Sequence, residues 1–284
     1  MQDIATYLMG LLGIFNNMMN DVVNILTTGP EAFNSTIYNM TNVISGGLTA
    51  IGISLLVLFF YMNLMQTYSS MTELKRPEIV FKEFFRLVIS NFVVTNAFPL
   101  MVQITTIGNG IILSGYNSAW QYTGAFAGMQ LDESLQNALA EMDFGILSLS
   151  IATFFTMLIA LVMMIAIAIA AIYLFVLAYG RIFKCYMYMA ISPIPLATFG
   201  CRGTAEVGKH FIKSYCGVLL QGLIMVLAML FFQAFLQSGD AFDTSSENVV
   251  IMMLKWGVSA LVRIFTLITM IKTADRITHD MLGI

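Results

Sequence analysis

The chain has 284 residues, of which 58% are hydrophobic and only 10% are charged. An average soluble domain is roughly 45–50% apolar and about 25% charged, so this composition excludes an ordinary soluble protein. The net charge of −3 says little about partners, and no dense basic stripe of the nucleic-acid-binding kind occurs outside the segments that flank apolar runs. The N-terminus lacks a basic region followed by a cleavage pattern, so we expect no removable signal peptide.

Eleven of the thirteen Lys and Arg residues lie in three clusters. The clusters are Lys75, Arg76, Lys82 and Arg86; Arg181, Lys184, Arg202, Lys209 and Lys213; and Lys272 and Arg276. Between them, long apolar runs lead to segments that carry only acids. Because membrane proteins keep Lys and Arg on the cytoplasmic side, the pattern predicts an all-α, polytopic membrane protein with five transmembrane helices. Its N-terminus would lie outside and its C-terminus in the cytoplasm.

Residues 1–29 have a helical period, with apolar side chains on one face and asparagines on the other. The segment is too polar to span a bilayer, and its amphipathic character is typical of an interfacial helix. We therefore expect an extracytoplasmic helix. It either lies in the membrane interface or packs on its neighbours above the membrane.

The rest of the chain divides into five spans that together form a single integral membrane domain. The predicted spans are 43–66, 87–113, 145–179, 214–237 and 249–271. The connecting segments are predicted to be cytoplasmic at 67–86, 180–213 and 272–284, and extracytoplasmic at 114–144 and 238–248.

Two spans carry rows of small residues, which allow helices to approach closely in lipid. The rows are Gly46, Ala50 and Ser54 in the first span, and Ser148, Ala152, Thr156 and Ala160 in the third. We expect both rows to pack against other helices.

A polar stripe runs down the second span, which Pro99 interrupts. It consists of Asn91, Thr95, Pro99, Gln103 and Thr106, which recur every three or four residues. Uncharged polar groups in a bilayer need partners, so this face is expected to meet protein or water. Asn91 and Gln103 are therefore predicted to line a pore.

An uncharged apolar segment between Lys184 and Arg202 contains Ser192, Pro193 and Pro195. Two prolines one residue apart are incompatible with a continuous helix. If the segment crossed the membrane, the cations that follow would lie on the wrong side. We predict a re-entrant or interfacial elbow on the cytoplasmic side.

The fifth span contains two cations, Lys255 and Arg263, which share a helical face with Ser259. Charged residues inside a membrane are functional candidates, so this face is predicted to line a pore or to bind lipid phosphate. The alternative is that both side chains snorkel toward the two membrane surfaces.

Catalytic and metal-binding patterns are absent from the sequence. Cys185, Cys201 and Cys216 lack the paired spacing of a zinc site, and we expect reduced thiols. There is no H-E-x-x-H motif, no P-loop and no acid within the predicted spans. We expect neither an enzyme nor a cofactor, although a bound phospholipid is compatible with the pattern.

Three stretches resemble the TrbL-like family of polytopic conjugal-transfer proteins, the VirB-type membrane subunits. They are MTELKRPEIVFKEFFRLVIS (71–90), YGRIFKCYMYMAISPIPLATFG (179–200) and VGKHFIKSYCGVLLQGLIMVLA (207–228). The resemblance is greatest to versions from Gram-positive bacteria, and the most specific stretch is the one that contains the elbow.

The resemblance implies a multi-pass subunit of a type IV secretion system in the bacterial cytoplasmic membrane. Such subunits form homo-oligomers and work with secretion ATPases, a coupling protein and other membrane subunits. The resemblance also implies contact with membrane lipids and transient contact with relaxase-bound single-stranded DNA. Two other functions stay open, namely a stand-alone channel or transporter for a small solute and a lipid-filled scaffold without conduction.

Overall fold

The computed structural model describes residues 4–68, 77–123, 137, 151–237 and 249–283. It is 95% helical, and the described residues contain no strand. Five helical stretches are long and apolar enough to cross a membrane. They are Ser35–Gln66, Ala97–Ser118, Phe154–Ile191, Ala205–Leu236 and Val250–Leu282. The predicted all-α class with five spanning helices is confirmed.

The helices are longer than the predicted spans. In chain order they are α1 Ile4–Thr27, α2 Pro30–Phe33, α3 Ser35–Tyr68, α4 Pro77–Thr95, α5 Ala97–Thr123, α6 Ile151–Ile191, α7 Pro193–Ala197, a 3₁₀ turn Thr198–Gly200, α8 Ala205–Gln237 and α9 Val249–Leu282. Most of the segment 180–213, which the sequence analysis treated as a loop, is therefore helical. Charged residues at helix ends continue a helix as readily as they end it, because Lys, Arg and Glu are good helix formers.

The predicted second span consists of two helices, with a break at Asn96 and not at Pro99. Proline has no N–H and its ring clashes with the carbonyl four residues earlier, which here belongs to Thr95. The helix α4 ends at Thr95, and α5 begins at Ala97 with Pro99 in its first turn. Pro99 therefore causes the break. The break lies at Asn96 because the ring of Pro99 would clash with the carbonyl of Thr95 in a continuous helix.

The described residues form two compact units. The described part of the first unit comprises residues 4–26, 112–123, 137, 151–179, 223–237 and 249–275. Its single large core buries Leu8, Leu12, Phe15, Met19, Val22 and Leu26 of α1 together with apolar side chains of α6, α8 and α9. The apolar face of α1 is therefore covered by protein, which favours the alternative that this helix packs on its neighbours.

The described part of the second unit comprises residues 27–68, 77–111, 180–222 and 276–283. It has two smaller cores. One joins Phe98 and Met101 of α5 to the end of α6 and to Tyr215 of α8. The other joins Leu56 of α3 and Val94 of α4 to Leu196 and Ala197 of α7. This unit contains the elbow and most of the polar contacts that the structure gives.

Candidate functional site

The chain reverses direction at the elbow. Near the end of α6, the Arg181 Nε donates to the carbonyl oxygen of Val218 in α8 at 3.0 Å. Further along α6, the Tyr188 ring lies 5.8 Å from the Tyr215 ring and 5.4 Å from the Phe211 ring. Later residues of α6 thus meet earlier residues of α8, so the two helices are antiparallel. A re-entrant or interfacial elbow on the cytoplasmic side stays a prediction.

Ser192, Pro193 and Pro195 build the elbow with few unsatisfied backbone groups. The hydroxyl of Ser192, which is fully buried, donates to the Met189 carbonyl at 2.8 Å. Pro193 begins the short helix α7, where a missing N–H costs nothing because the first turn has no intrahelical acceptor for it. Thr198 and Thr204 then close the turn with hydroxyl-to-carbonyl hydrogen bonds of 2.7 and 2.9 Å.

The elbow is packed tightly on α3. A Cβ atom added at Gly52 would lie 2.8 Å from the Pro193 carbonyl oxygen, a backbone atom that cannot rotate away. A Cβ at Gly200 would lie 2.7 Å from the Leu56 side chain and 3.1 Å from its carbonyl oxygen. Glycine is needed at both positions because the two backbones approach so closely.

A buried carboxylate ties the elbow to α3 and α4. Glu83 is 1% exposed, and the Arg202 guanidinium donates to its Oε1. The Asn63 amide donates to Oε2 at 2.5 Å, and Arg86 lies 3.7 Å from the same oxygen. The backbone N–H of Arg202 also donates to Asn63 Oδ1 at 3.2 Å. We call Asn63, Glu83, Arg86 and Arg202 the Glu83 cluster.

The Glu83 cluster is not predicted by the local sequence. Glu83 lies among cations in a segment that resembles an ordinary charged loop, and Arg202 follows 119 residues later. The one local signal is that an acid stands three residues before Arg86, a spacing that pairs side chains on a helix.

A second cation, Arg181, lies inside the second unit with 3% of its surface exposed. Its guanidinium donates to the carbonyl oxygens of Val218 and Leu219 at 3.0 and 3.4 Å. A Cβ at Gly222 would overlap the guanidinium, so glycine opens the surface of α8 to this side chain. Arg181, one of the cations that predict the membrane topology from the sequence, therefore also holds α6 against α8.

The polar stripe lies on the outside of the second unit. All five members, Asn91, Thr95, Pro99, Gln103 and Thr106, are exposed. The hydroxyl of Thr106 donates to the carbonyl of Val102 at 3.0 Å, which satisfies its hydrogen within the helix. Asn91 of α4 and Gln103 of α5 are both exposed.

The two small-residue rows differ in their surroundings. Gly46, Ala50 and Ser54 are exposed on α3, and nothing lies within 4 Å of a Cβ added at Gly46. Thr156 and Ala160 are buried in the first unit. Ser148 and the side chain of Ala152 lie outside the described residues. The first row is thus open to a partner, whereas the described part of the second packs within the chain.

Lys255, Ser259 and Arg263 lie on the inward side of α9 in the first unit. Ser259 is 1% exposed, Arg263 is 9% exposed and Lys255 is half-buried. This chain itself covers most of the surface of Ser259 and Arg263. Their role in a pore or at a lipid phosphate stays a prediction.

The three cysteines are free thiols, and Cys185 and Cys201 are buried. In the part of the chain that the structure describes, no three His, Cys, Asp or Glu side chains come together in a way that could hold a metal ion. The Cys201 thiol lies 3.8 Å from the Gln66 side-chain oxygen, next to the Glu83 cluster.

Fold and site together define a multi-pass α-helical membrane protein whose elbow is fastened by buried charge. The family model described as TrbL/VirB6 plasmid conjugal transfer like protein matches residues 15–193, which is more than half of the sequence. The chain belongs to this family and is a membrane subunit of a conjugal transfer system. No curated protein and no protein of solved structure matches it.

Proposed function

We propose that this protein is a channel or platform subunit of a conjugative type IV secretion system in the bacterial cytoplasmic membrane. It associates with further copies of itself into a ring-like assembly and supports the transfer of DNA and protein substrates. The energy would come from separate ATPases, since the chain has no P-loop and we assign it no catalytic role.

The observation that carries this proposal is the exposed polar stripe on α4 and α5. Part of it, from Pro99 to Thr106, lies within a stretch long and apolar enough to cross a membrane. Polar side chains that face acyl chains forgo hydrogen bonds, so a polar face at membrane depth is retained where protein or water covers it. One subunit leaves the face uncovered, and a neighbouring subunit or an aqueous path between subunits would satisfy it.

The exposed row of Gly46, Ala50 and Ser54 on α3 supports self-association independently. Small residues at a four-residue spacing form a shallow groove into which a second helix fits closely. Among the described residues, nothing lies within 4 Å of a Cβ added at Gly46, so we expect a helix of another subunit to occupy this groove.

The exposed cations around the elbow support entry of the substrate from the cytoplasmic side. The elbow's neighbours Lys184, Arg202, Lys209 and Lys213 are exposed, and cations are typical of the cytoplasmic face. A secretion ATPase, a coupling protein or relaxase-bound DNA would arrive at this face.

Conjugation assays on stripe variants test the proposal. Replacing Asn91 and Gln103 together with leucine should lower the frequency of DNA transfer by about tenfold or more, because an apolar face no longer favours a hydrated or hydrogen-bonded contact between subunits. The control replaces Ile169 and Val176, exposed apolar residues of α6, with leucine, and it should transfer normally. Both proteins should reach the membrane in normal amounts. Unchanged transfer by the stripe variant would contradict the proposal.

Water accessibility separates the proposed channel from the two alternative functions. Cysteines placed at positions 91, 103, 255 and 263 should react with a membrane-impermeant thiol reagent if the assembly encloses an aqueous path. A lipid-filled scaffold would leave all four unreactive. A stand-alone solute channel would give reactive cysteines without any requirement for the other transfer proteins.

The two cations of α9 provide a separate test. Changing Lys255 and Arg263 to glutamine should impair transfer while expression stays intact if they line the path or bind lipid phosphate. An unchanged mating frequency would remove these residues from the proposal and leave the stripe as its basis.

A further inference from the structure

A groove with a basic rim lies in the second unit, beside the Glu83 cluster. Its volume is about 740 Å³, which is within the range of small-molecule binding sites. Lys82 and Arg86 of α4, Arg202 of the elbow and Lys209 of α8 line it together with apolar side chains. Among the described residues, four cations and no carboxylate line this groove. We call it the basic groove.

The floor of the basic groove is apolar and open. Phe85 and Ile89 of α4 are 68% and 58% exposed, and Val93 and Phe199 continue the apolar surface. The helix α4 also exposes Phe81, Val88 and Phe92. Cations followed along a helix by large exposed apolar side chains are typical of a segment that lies where lipid headgroups meet acyl chains.

Three of the four cations of the rim lie in ion pairs. Arg202 is fixed by its ion pair with the buried Glu83, and its backbone N–H is fixed by Asn63. Arg86 lies 3.7 Å from the same carboxylate. Glu206, an exposed acid of α8, pairs with Lys209 at 2.7 Å. Among the side chains that the structure describes here, four lining cations outnumber Glu83 and Glu206, which leaves the groove with a positive charge.

We propose that the basic groove binds an anionic phospholipid of the surrounding bilayer. The headgroup phosphate contacts Lys82, Arg86, Arg202 and Lys209, and an acyl chain lies along Phe85 and Ile89. Basic pockets between helices on the cytoplasmic side of membrane proteins have the charge that such headgroups need. A single-stranded nucleic acid would match the cations and could stack a base on Phe85, but it has no use for the aliphatic Ile89 and Val93. A zwitterionic lipid would match the apolar floor but not the net charge.

This site is distinct from the polar stripe and from Lys255 and Arg263. It requires only that the protein lie in a membrane, so it does not depend on the assembly or on the transport proposed above. Lipid binding and DNA transfer can therefore fail separately.

The test measures the lipid retained by the purified full-length protein after extraction from nanodiscs that contain equal amounts of phosphatidylglycerol and phosphatidylcholine. Native mass spectrometry should show phosphatidylglycerol retained in at least about tenfold preference. Changing Lys82 and Lys209 to glutamine should abolish most of this preference. These side chains are exposed, so the folded protein is expected to persist. Equal retention of the two lipids by the unchanged protein would overturn the proposal.

Two matched variants complete the test. Lys184→Gln with Lys213→Gln removes two exposed cations of the same unit that do not line the groove, and it should retain the preference. Ile89→Trp narrows the floor without a change in charge and should lower total lipid retention, whereas Ile51→Trp on the exposed side of α3 should not. Loss of the preference in the Lys184 and Lys213 variant would show a diffuse charge effect and contradict a defined site. Release of the bound lipid by a single-stranded oligonucleotide would indicate a nucleic-acid site and also overturn the proposal.

Discussion

The two units expose surfaces of opposite chemistry. In the first unit, Ile165, Ile169, Ile172 and Val176 of α6 form an open row in which every member is apolar, and Ile169 is 62% exposed. In the second unit, the open stripe of α4 and α5 is polar. Both surfaces are equally uncovered in one subunit, so exposure alone does not tell what meets them. From the chemistry we expect lipid to meet the row on α6 and protein or water to meet the stripe.

The interiors of the two units are also organised differently, although each buries a cation, Arg263 in the first and Arg181 in the second. The first unit has one continuous apolar core, in which α1 takes part. The second unit divides its apolar side chains between two smaller cores and adds the Glu83 cluster and Arg181. Directional polar contacts fix the elbow in the second unit, where non-directional apolar packing would leave its position less well defined.

The largest effect on stability is expected from the Glu83 cluster. Arg202→Gln leaves the buried carboxylate without its closest cation, which should lower the free energy of unfolding by about 3 kcal/mol. Glu83→Gln removes the buried charge itself and leaves an arginine that water can reach, so it should cost about 1–2 kcal/mol. Denaturant unfolding of the detergent-solubilised protein measures both.

The control for the Glu83 cluster is an exposed ion pair of the same unit. Lys209→Gln breaks the pair with Glu206 and should change stability by less than about 1 kcal/mol. If Arg202→Gln were no more harmful than Lys209→Gln, the buried charge would not fasten the elbow. The contrast between the two units would then lose its main support.

Arginine substitutions on the two exposed surfaces test their different surroundings. Ile169→Arg places a charge on the row of α6 and should cost about 2.5–3.5 kcal/mol on an insertion scale, because lipid cannot solvate it. Gln103→Arg should cost much less if protein or water meets the stripe. The amount of monodisperse protein extracted from membranes with a mild detergent reports both effects. Similar losses for the two variants would show that both surfaces face lipid.

A smaller effect than that of Arg202→Gln is expected at the contact between α3 and the elbow. Gly52→Ala forces a methyl group against the Pro193 carbonyl and should lower stability by about 1–3 kcal/mol. Gly47→Ala, on the same helix with nothing within 4 Å of the new Cβ, should instead raise it by about 0.5–1 kcal/mol through helix propensity. Thermal unfolding of the two variants would show shifts of opposite sign. Equal shifts in the unfolding temperature would mean that the elbow does not closely contact α3 at Gly52.

Much of the helical organisation could be predicted from local sequence. Hydrophobic run length located the five spanning helices, and the period of Leu8, Leu12 and Phe15 located the buried face of α1. Pro193 and Pro195 located the reversal of the chain. These features depend on neighbouring residues, and the rules for helix period and for proline act over the same short range.

The tertiary contacts could not be predicted in the same way. Glu83 and Arg202 meet across more than a hundred residues, and Arg181 reaches carbonyl oxygens of a helix that begins after the elbow. A charge in a cationic segment has the same local pattern whether it is buried or solvated. Likewise, the shared face of Lys255 and Arg263 was readable from their spacing, but their partial burial within the first unit depends on α9 packing on its neighbours.

The most direct test of the proposed association is whether lipid, or instead protein or water, surrounds the polar stripe. Spin labels are attached to single cysteines at positions 103 and 169, in a variant whose three native cysteines are replaced with alanine, and the protein is reconstituted in bilayers. Oxygen concentrates in lipid, so collisions with oxygen should be frequent at position 169 and several-fold rarer at position 103. Equal collision rates with oxygen at the two positions would show that lipid covers the stripe, and would contradict the proposed association of subunits through this face.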